Sequence, residues 1–512
     1  MAKIAIIETK PSRNNYQELF DGEFEFDLYQ LCSDSSVKKV LKKDVDIDID
    51  LDAYDWVILV GVEPLKYFTK LNSVSAYSGQ KVQDKFLPVI NPAMLRFKPE
   101  AQRHWLDSKE KIVLRVQGKL TEDGIETLDL LGIEDEKEAI DYIQKAIDAD
   151  SSFIALDSET SAFYPRDGYV LGLSITYKDK CGAYISSECI SEEVEKLLQK
   201  LFNKKEVVFH NAKFDLGFFE YHFNFKFPRF HDTMLLHYIL DETQGTHGLK
   251  QLAMKFTDYG DYEVELEKWK KDYCKRTGTK VSEFSYEVIP FEVIAPYAAI
   301  DTVVTWELFK KFYPLVMKND RFRFVYEHIL IPGTRFLTDV QDNGVPFCPE
   351  RLNIAKKIMG SEIVQAVEAL NKFPEVNRFI EDNGAFNPNS PSQLRRLLFD
   401  YIGLPPTGVK TGTGADSTNA EVLKELSELH EVPKHILKLR KSSKIKNTYI
   451  DKIIPQLNKD NRLRTGFSLH TTTSGRLSSS GKLNMQQLPR DNPLVKGCIK
   501  AREGYKIVSL DW

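Results

Sequence analysis

Residues 153–160, Phe153-Ile-Ala-Leu-Asp157-Ser-Glu159-Thr160, set the tightest limit on what this chain can fold into. A short apolar run with no polar alternation reads as a strand buried on both faces. It ends in two carboxylates one residue apart, and side chains two apart on a strand share a face. Asp157 and Glu159 therefore stand together at the strand's end, where they repel unless cations lie between them. Oxygen donors of this kind select Mg²⁺ or Mn²⁺. The same Asp-x-Glu spacing recurs at Asp21/Glu23 and Asp261/Glu263, where nothing nearby points to a site. The pattern alone is equally a solvated acidic turn, so its meaning depends on the residues downstream.

There the apolar run Val207-Val-Phe-His210 leads into Asn211-Ala-Lys-Phe-Asp215, a strand followed by a helix with Asp215 in its first turn. An Asp so placed reaches the carboxyl ends of neighbouring strands, the usual ligand crevice of such sheets. A plainer alternative has Asn211 capping the helix and Asp215 complementing its dipole. Phe230-His-Asp232-Thr233 begins a capped helix. Tyr297 and Asp301 are four apart and share a helix face. A phenol beside a carboxylate can orient a water, although a Tyr–Asp pair on a core-facing helix has the same spacing.

Taken together, Asp157, Glu159, Asn211-x-x-x-Asp215 and Tyr297-x-x-x-Asp301 resemble the tyrosine-bearing branch of the DEDD 3′→5′ exonucleases over roughly 150–310. The resemblance implies a ribonuclease-H-like fold and two cations, Mg²⁺ or Mn²⁺, about 4 Å apart. It implies that Asp157 bridges both, that Glu159 and Asp301 hold the water-activating one, and that Asp215 acts through the water shell of the second. Tyr297 would orient the attacking water. Phe214, Phe218 and Phe219 are candidates to stack on frayed terminal bases or, alternatively, to fill the core.

Ahead of this region, Lys3–Glu8, Trp56–Gly61 and Phe86–Asn91 read as strands alternating with helical segments, a small α/β domain with a parallel sheet. The acidic run 44–55 reads as a solvated loop. Val60-Gly61, Val62-Glu-Pro-Leu-Lys66, Val89-Ile-Asn91-Pro92-Ala-Met-Leu95 and Pro99-Glu-Ala101 resemble the uracil-DNA glycosylase fold. Asn91-Pro92 replaces the His-Pro of that family, and Thr9–Asn14 lacks its Gly-rich, acidic loop. The expectation is a glycosylase-like fold without glycosylase chemistry, with DNA contact, docking and inert packing left open.

Past residue 330 the chain reads as mainly helical. His435–Tyr449 is basic for its length, and Lys438, Arg440, Lys441, Lys444, Lys446 and Asn447 are candidate phosphate contacts. Thr473-Ser-Gly475-Arg476-Leu-Ser-Ser479 and Asn484-Met-Gln486-Gln-Leu-Pro489 resemble the segment entering the palm of family A DNA polymerases. The departures are Ser474, Met485, Gln487 and Leu488. The resemblance implies primer and template contacts by Arg476, Asn484 and Gln486. Val508-Ser-Leu-Asp511-Trp512 resembles the start of that family's first palm motif, making Asp511 a palm metal ligand.

A chain of 512 residues with net charge −5 spans several domains and is no uniformly basic nucleic-acid binder. Its six cysteines form no Cys-x-x-Cys pair, which argues for a reducing, cytoplasmic setting without zinc or disulfides. No apolar run suits a membrane, and no membrane partner is expected. The expected fold class is multidomain α/β and α+β. The divisions are a glycosylase-like domain at 1–115, a linker at 116–135, the exonuclease at 136–312, a helical region with the thumb at 313–465, and the start of the palm at 466–512.

The expected function is a phage-like family A DNA polymerase part with proofreading exonuclease, acting on DNA primer–template and single-stranded 3′ ends. A second chain supplying the rest of palm and fingers is one expectation for polymerisation, and a truncated longer chain is the other. A stand-alone exoribonuclease and a non-catalytic DNA-binding scaffold are the rivals.

Overall fold

The computed structural model describes residues 2–37, 40–72, 74–83, 85–96, 99–118, 124–260, 262–481, 483–489, 492–508 and 510. The chain divides into two units, Met1–Thr338 with Leu469–Arg476, and Asp339–Ser468 with Leu477–Trp512.

The first unit opens with a parallel sheet of β1 (Ile4–Glu8), β2 (Asp27–Gln30), β3 (Trp56–Val60) and β4 (Phe86–Val89), in the order β2-β1-β3-β4. Residues 4–7 and 57–60 are buried, as unbroken apolar runs inside a parallel sheet must be. Helix α1 (Val62–Thr69) follows β3, and Gly61 between them sits at φ 90°, where a side chain is strained. Helix α2 (Pro99–Val116) brings Trp105 against Phe20, ring centroids 5.6 Å apart. Strand β2 escapes sequence reading because Asp27-Leu-Tyr-Gln30 is a half-exposed edge with no apolar run.

The central sheet comprises β5 (Asp129–Ile133), β6 (Phe153–Thr160), β7 (Val170–Lys178), β8 (Cys181–Ser186), β9 (Glu206–Phe209) and β10 (Phe230–Asp232). Its order is β10-β9-β6-β7-β8-β5. The pairs β6/β7 and β7/β8 are antiparallel, while β6/β9, β9/β10 and β5/β8 are parallel. This is a ribonuclease-H-like arrangement with β6 held between β7 and β9, and Ile154, Ala155 and Leu156 are wholly buried there. Around it lie α3 (Glu136–Asp148), α4 (Glu192–Lys204), α5 (Ala212–Phe223), α6 (Thr233–Leu240), α7 (Val264–Thr277) and the long α8 (Phe291–Met317). Asp135 caps α3 by accepting from Lys137 and Glu138, and Ser191 caps α4. One expectation is corrected here. The linker expected at 116–135 contains β5, an edge strand whose half-exposed Asp129-Leu-Leu-Gly-Ile133 gives no readable period but whose backbone completes the sheet beside β8.

Two bare positions decide how closely α8 lies on this sheet. A Cβ on Gly182 of β8 would come within 2.5 Å of the Ala299 carbonyl oxygen, and one on Gly132 of β5 within 2.8 Å of the Phe291 ring. Only hydrogen at those positions lets the helix approach to contact.

In the second unit, α9 (Pro349–Leu370) packs along α10 (Glu431–Lys444). Leu370, Phe379, Leu397, Leu423 and Ile436 share one core, and Leu352, Tyr449, Ile453 and Leu463 share another. The hairpin strands Gly466–Ser468 and Ser478–Ser480 pair antiparallel.

Candidate active site

The alternation of β6 puts Asp157 and Glu159 on one face, as expected, and α8 supplies Asp301 from above them. One oxygen of each of these three carboxylates lies within 4.8 Å of the others. Glu159 is 7% exposed and Asp301 5%, while Asp157 is half-buried. Three like charges so close and so dry resist ionisation. Burial, then its neighbours' charges, raises each carboxyl group well above its usual range: Asp215 for Asp157, and Asp157 first for both Glu159 and Asp301. The cluster must hold protons or cations. Its donors are all carboxylate oxygens, with neither sulfur nor imidazole among them, which fits a hard divalent ion.

Asp215 stands apart from this cluster. Its Oδ1 accepts from the backbone N–H of Ser158 at 2.9 Å and from the Ser158 hydroxyl at 2.7 Å, tying α5 to the middle of β6. It is 1% exposed, and burial pushes its pKa up to about 7 despite those bonds. Tyr297 lies beside Asp301, one helical turn before it, and its phenol is held protonated by burial and by that carboxylate.

The helix bearing Asp215 is started differently from the plainer sequence alternative. Asn211 adopts the left-handed conformation, φ 66°, and its side chain makes no cap. Asp232, 3% exposed, takes that role. Its carboxylate accepts from the backbone N–H groups of Asn211 and Ala212 at the entry to α5 and of Met234 and Leu235 at the start of α6.

The aromatic candidates divide. Phe218 and Phe219 are fully buried in the core and Phe214 packs on Phe218 at 5.0 Å, so core filling takes them. Exposed rings in this unit include instead Phe163, 86% exposed, Tyr164, Tyr169, and Tyr221 with the Arg166 guanidinium 4.8 Å above it. Phe163 and Tyr164 follow β6 directly, a placement that only the carboxylate motif before them could have signalled. Tyr262 and Glu263 are also missed by sequence reasoning, in the very Asp-x-Glu stretch that offered no reason to infer a site. The Tyr262 hydroxyl donates to Asp301, and the Glu263 carboxylate pairs with Lys250 at 3.2 Å.

In the second unit the basic stretch resolves into an exposed face and internal bonds. Lys438, Lys441, Lys444 and Asn447 recur every three residues and are all exposed. Arg440 and Lys446 depart from the expectation. Arg440 donates to the carbonyls of Pro388 and Thr418, and Lys446 pairs with Asp451 at 2.6 Å, because each projects to the packed side. Asn484 caps the turn 485–487 by accepting from the Gln486 N–H, and the Gln486 amide donates to the Leu477 carbonyl at 3.1 Å. Arg476 is exposed, in the segment that belongs to the first unit. Asp511 lies outside the described residues.

Comparison with known proteins bears on this geometry directly. A family model described as 3′-5′ exonuclease matches residues 131–317, and one described as DNA polymerase family A matches 357–512. The chain belongs to the family A DNA polymerases. Among its family A relatives, the DNA polymerase of Escherichia phage T5 is 44% identical over 99% of this chain and 62% of its own length. The DNA polymerase of Bacillus phage SP01 is 26% identical over 86% of this chain and 55% of its own. DNA polymerase I of Pseudomonas aeruginosa is 28% identical over 71% and 40%. The chain thus spans about 60% of the length of the T5 relative. A solved structure, the POL domain of Pol1 from M. smegmatis in complex with DNA primer-template and dNTP, shares the fold at a TM-score of 0.54. It is 21% identical and covers 73% of this chain and 59% of its own. No helix among the described residues is long and apolar enough to cross a membrane.

Proposed function

We propose that this chain removes nucleotides one at a time from DNA 3′ ends with the help of divalent metal ions, as the proofreading part of a DNA-synthesising polymerase. The observation that carries the proposal is the convergence of Asp157, Glu159 and Asp301 within 4.8 Å, beside Tyr297. The net reaction is hydrolysis: water adds to the terminal phosphorus, the P–O3′ bond breaks, and a nucleoside 5′-monophosphate leaves a new 3′ hydroxyl. Mg²⁺ or Mn²⁺, when bound, supplies Lewis-acid activation of the nucleophile and neutralises charge on the leaving oxygen. Asp157, Glu159 and Asp301 would hold the ions. Asp215 braces β6 through Ser158, and Tyr297 orients the attacking water. Phe163, Tyr164 and Tyr221 offer rings to splayed bases.

For the second unit, the proposed role is contact with primer–template through the exposed lysine face and the loop shaped by Asn484 and Gln486; Arg476, in the first unit, is proposed for the same role by its resemblance alone. Nucleotide addition is proposed for the whole protein, in the cytoplasm of a host cell. The relatives give no support to a second chain completing the palm. For 1–115 the proposal is a glycosylase-like fold without glycosylase chemistry, resting on its parallel strand–helix alternation alone.

The test is incubation of the chain with a 3′-mismatched primer–template, and with a matching RNA strand, in Mg²⁺ or Mn²⁺. Stepwise loss of deoxynucleotides, faster from DNA than from RNA, is expected. Preference for RNA would favour an exoribonuclease, and DNA binding without cleavage in either metal a scaffold.

Two further results are expected. Replacing Lys438, Lys441 and Lys444 together by alanine should weaken primer–template binding equally for all sequences. The slope of log K against log[salt] should fall by about 3, read from binding isotherms at several salt concentrations. The second concerns pH. Asp215, raised to about 7, and the raised cluster carboxyls bind more protons folded than unfolded. Stability of the metal-free protein from these groups is therefore intact below about pH 4 and declines as pH rises towards 7. Cations take the place of those protons, so the melting-temperature gain from added Mg²⁺ should grow from pH 5 to pH 8, with proton release on binding. A gain independent of pH would place the ion elsewhere.

A further inference from the structure

Tyr262 lies on the turn that enters α7, and its side chain is 8% exposed. Its hydroxyl donates to Asp301 Oδ1 at 2.5 Å, across 39 residues of sequence. Its ring lies nearly parallel to that of Tyr297, with centroids 6.2 Å apart and planes at 28°. Tyr262 lies within the Asp261/Glu263 stretch, outside the motifs that supply the clustered carboxylates.

A carboxylate that is to grip a cation has two problems, a side chain free to rotate and a charge surrounded by like charges. A neutral donor fixed in place addresses the first without worsening the second. A phenol has a single O–H. In Tyr262 that proton is directed at Asp301, so this ring has none left to aim at a reacting water. Its position suits holding Asp301 still. The stacked Tyr297 ring limits where the Tyr262 ring can move, and Tyr262 in turn occupies one of the two Asp301 oxygens. Bonds of this kind, from a group behind a metal ligand, typically change metal affinity or activity by 10–100-fold when removed.

We propose that Tyr262 is a positioning residue which fixes the Asp301 carboxylate for divalent-cation binding. The proposal rests on the carboxylate cluster being a metal centre.

The test is Mn²⁺ binding to the full chain, measured by calorimetry and by loss of the free-ion electron paramagnetic resonance signal, with no DNA present. Tyr262→Phe removes one oxygen and keeps the stacked ring. It should weaken Mn²⁺ binding about tenfold. The nuclease rate should return as Mn²⁺ is raised, and the KM for DNA should stay put. In an Asp301→Asn background the same substitution should change Mn²⁺ affinity no further, because the effect passes through that carboxylate. Unchanged Mn²⁺ affinity in Tyr262→Phe overturns the proposal, whether or not its melting temperature or kcat falls. So does an equal loss in the Asp301→Asn background. Failure of the underlying metal-centre reading looks different: the wild type would bind no Mn²⁺, or the Asp157→Ala/Glu159→Ala chain would bind it as well as the wild type does.

Discussion

The Asp157→Ala/Glu159→Ala chain is expected to lose release of 3′-terminal nucleotides by on the order of 10³-fold or more, since metal-ion stabilisation of a phosphoryl transition state is worth several kcal/mol. Both groups sit on β6 and make up two of the three clustered carboxylates, so Asp301 is left alone. One carboxylate gives a divalent ion too few oxygens. The double change also removes charge repulsion that β6 carries without metal. The metal-free variant should therefore melt no lower than the wild type, while the stabilisation that Mg²⁺ gives the wild type disappears. Quenched-time gels of a 5′-labelled primer, beside melting curves with and without Mg²⁺, read both effects. Full activity in the variant would place the chemistry elsewhere. Lost activity with a much lower melting point would mean the strand had failed structurally.

The largest effect on stability is expected at Asp232. Its carboxylate receives the backbone N–H groups of Asn211, Ala212, Met234 and Leu235, and it is 3% exposed. Asp232→Ala leaves those donors at two helix starts without their acceptor. Each buried, unanswered donor costs about 1–3 kcal/mol, partly recovered where water can enter, so a total of about 4 kcal/mol is expected. Asp232→Asn keeps one oxygen acceptor and should lose about half as much. Urea midpoints at constant m separate the two variants. Nuclease activity should fall in both, because α5 carries Asp215 to its bond with Ser158. Equal midpoints for the alanine and asparagine variants would contradict this account of the cap.

How much the sequence discloses depends on how local the signal is. The carboxylate pair of β6 was legible because alternation within one strand fixes its geometry, and Tyr297 with Asp301 because four residues make about one helical turn. The apolar strands β1, β3, β4 and β9 announce themselves by composition. Edges do not: β2 and β5 are half-exposed and short, with no apolar period to read, and only their neighbours' unpaired backbone requires them. The plainer alternative of an Asn211 cap fails because Asp232 supplies the acceptor from 20 residues away, whereas a capping residue normally adjoins its helix. Tyr262 was illegible for the same reason, since its partner is named only by the fold. In the second unit the basic composition of 435–449 was visible, but not which cations face inward. Arg440 and Lys446 can be told from Lys441 and Lys444 only once the packed side of α10 and of the helical turn after it, Ile445–Ile450, is known.

The two hydrogens at Gly132 and Gly182 have a genetic consequence. They set the separation between α8 and the sheet, and Asp301 rides on that helix while Asp157 and Glu159 ride on the sheet. A methyl group at either glycine pushes the halves of the centre apart without touching a carboxylate. If the chain trims 3′ ends as proposed, such an allele would leave mismatched ends uncorrected with every carboxylate in place. Selections for mutator strains should therefore recover lesions at these glycines, well away from the acidic residues that an inspection of the catalytic motifs would nominate.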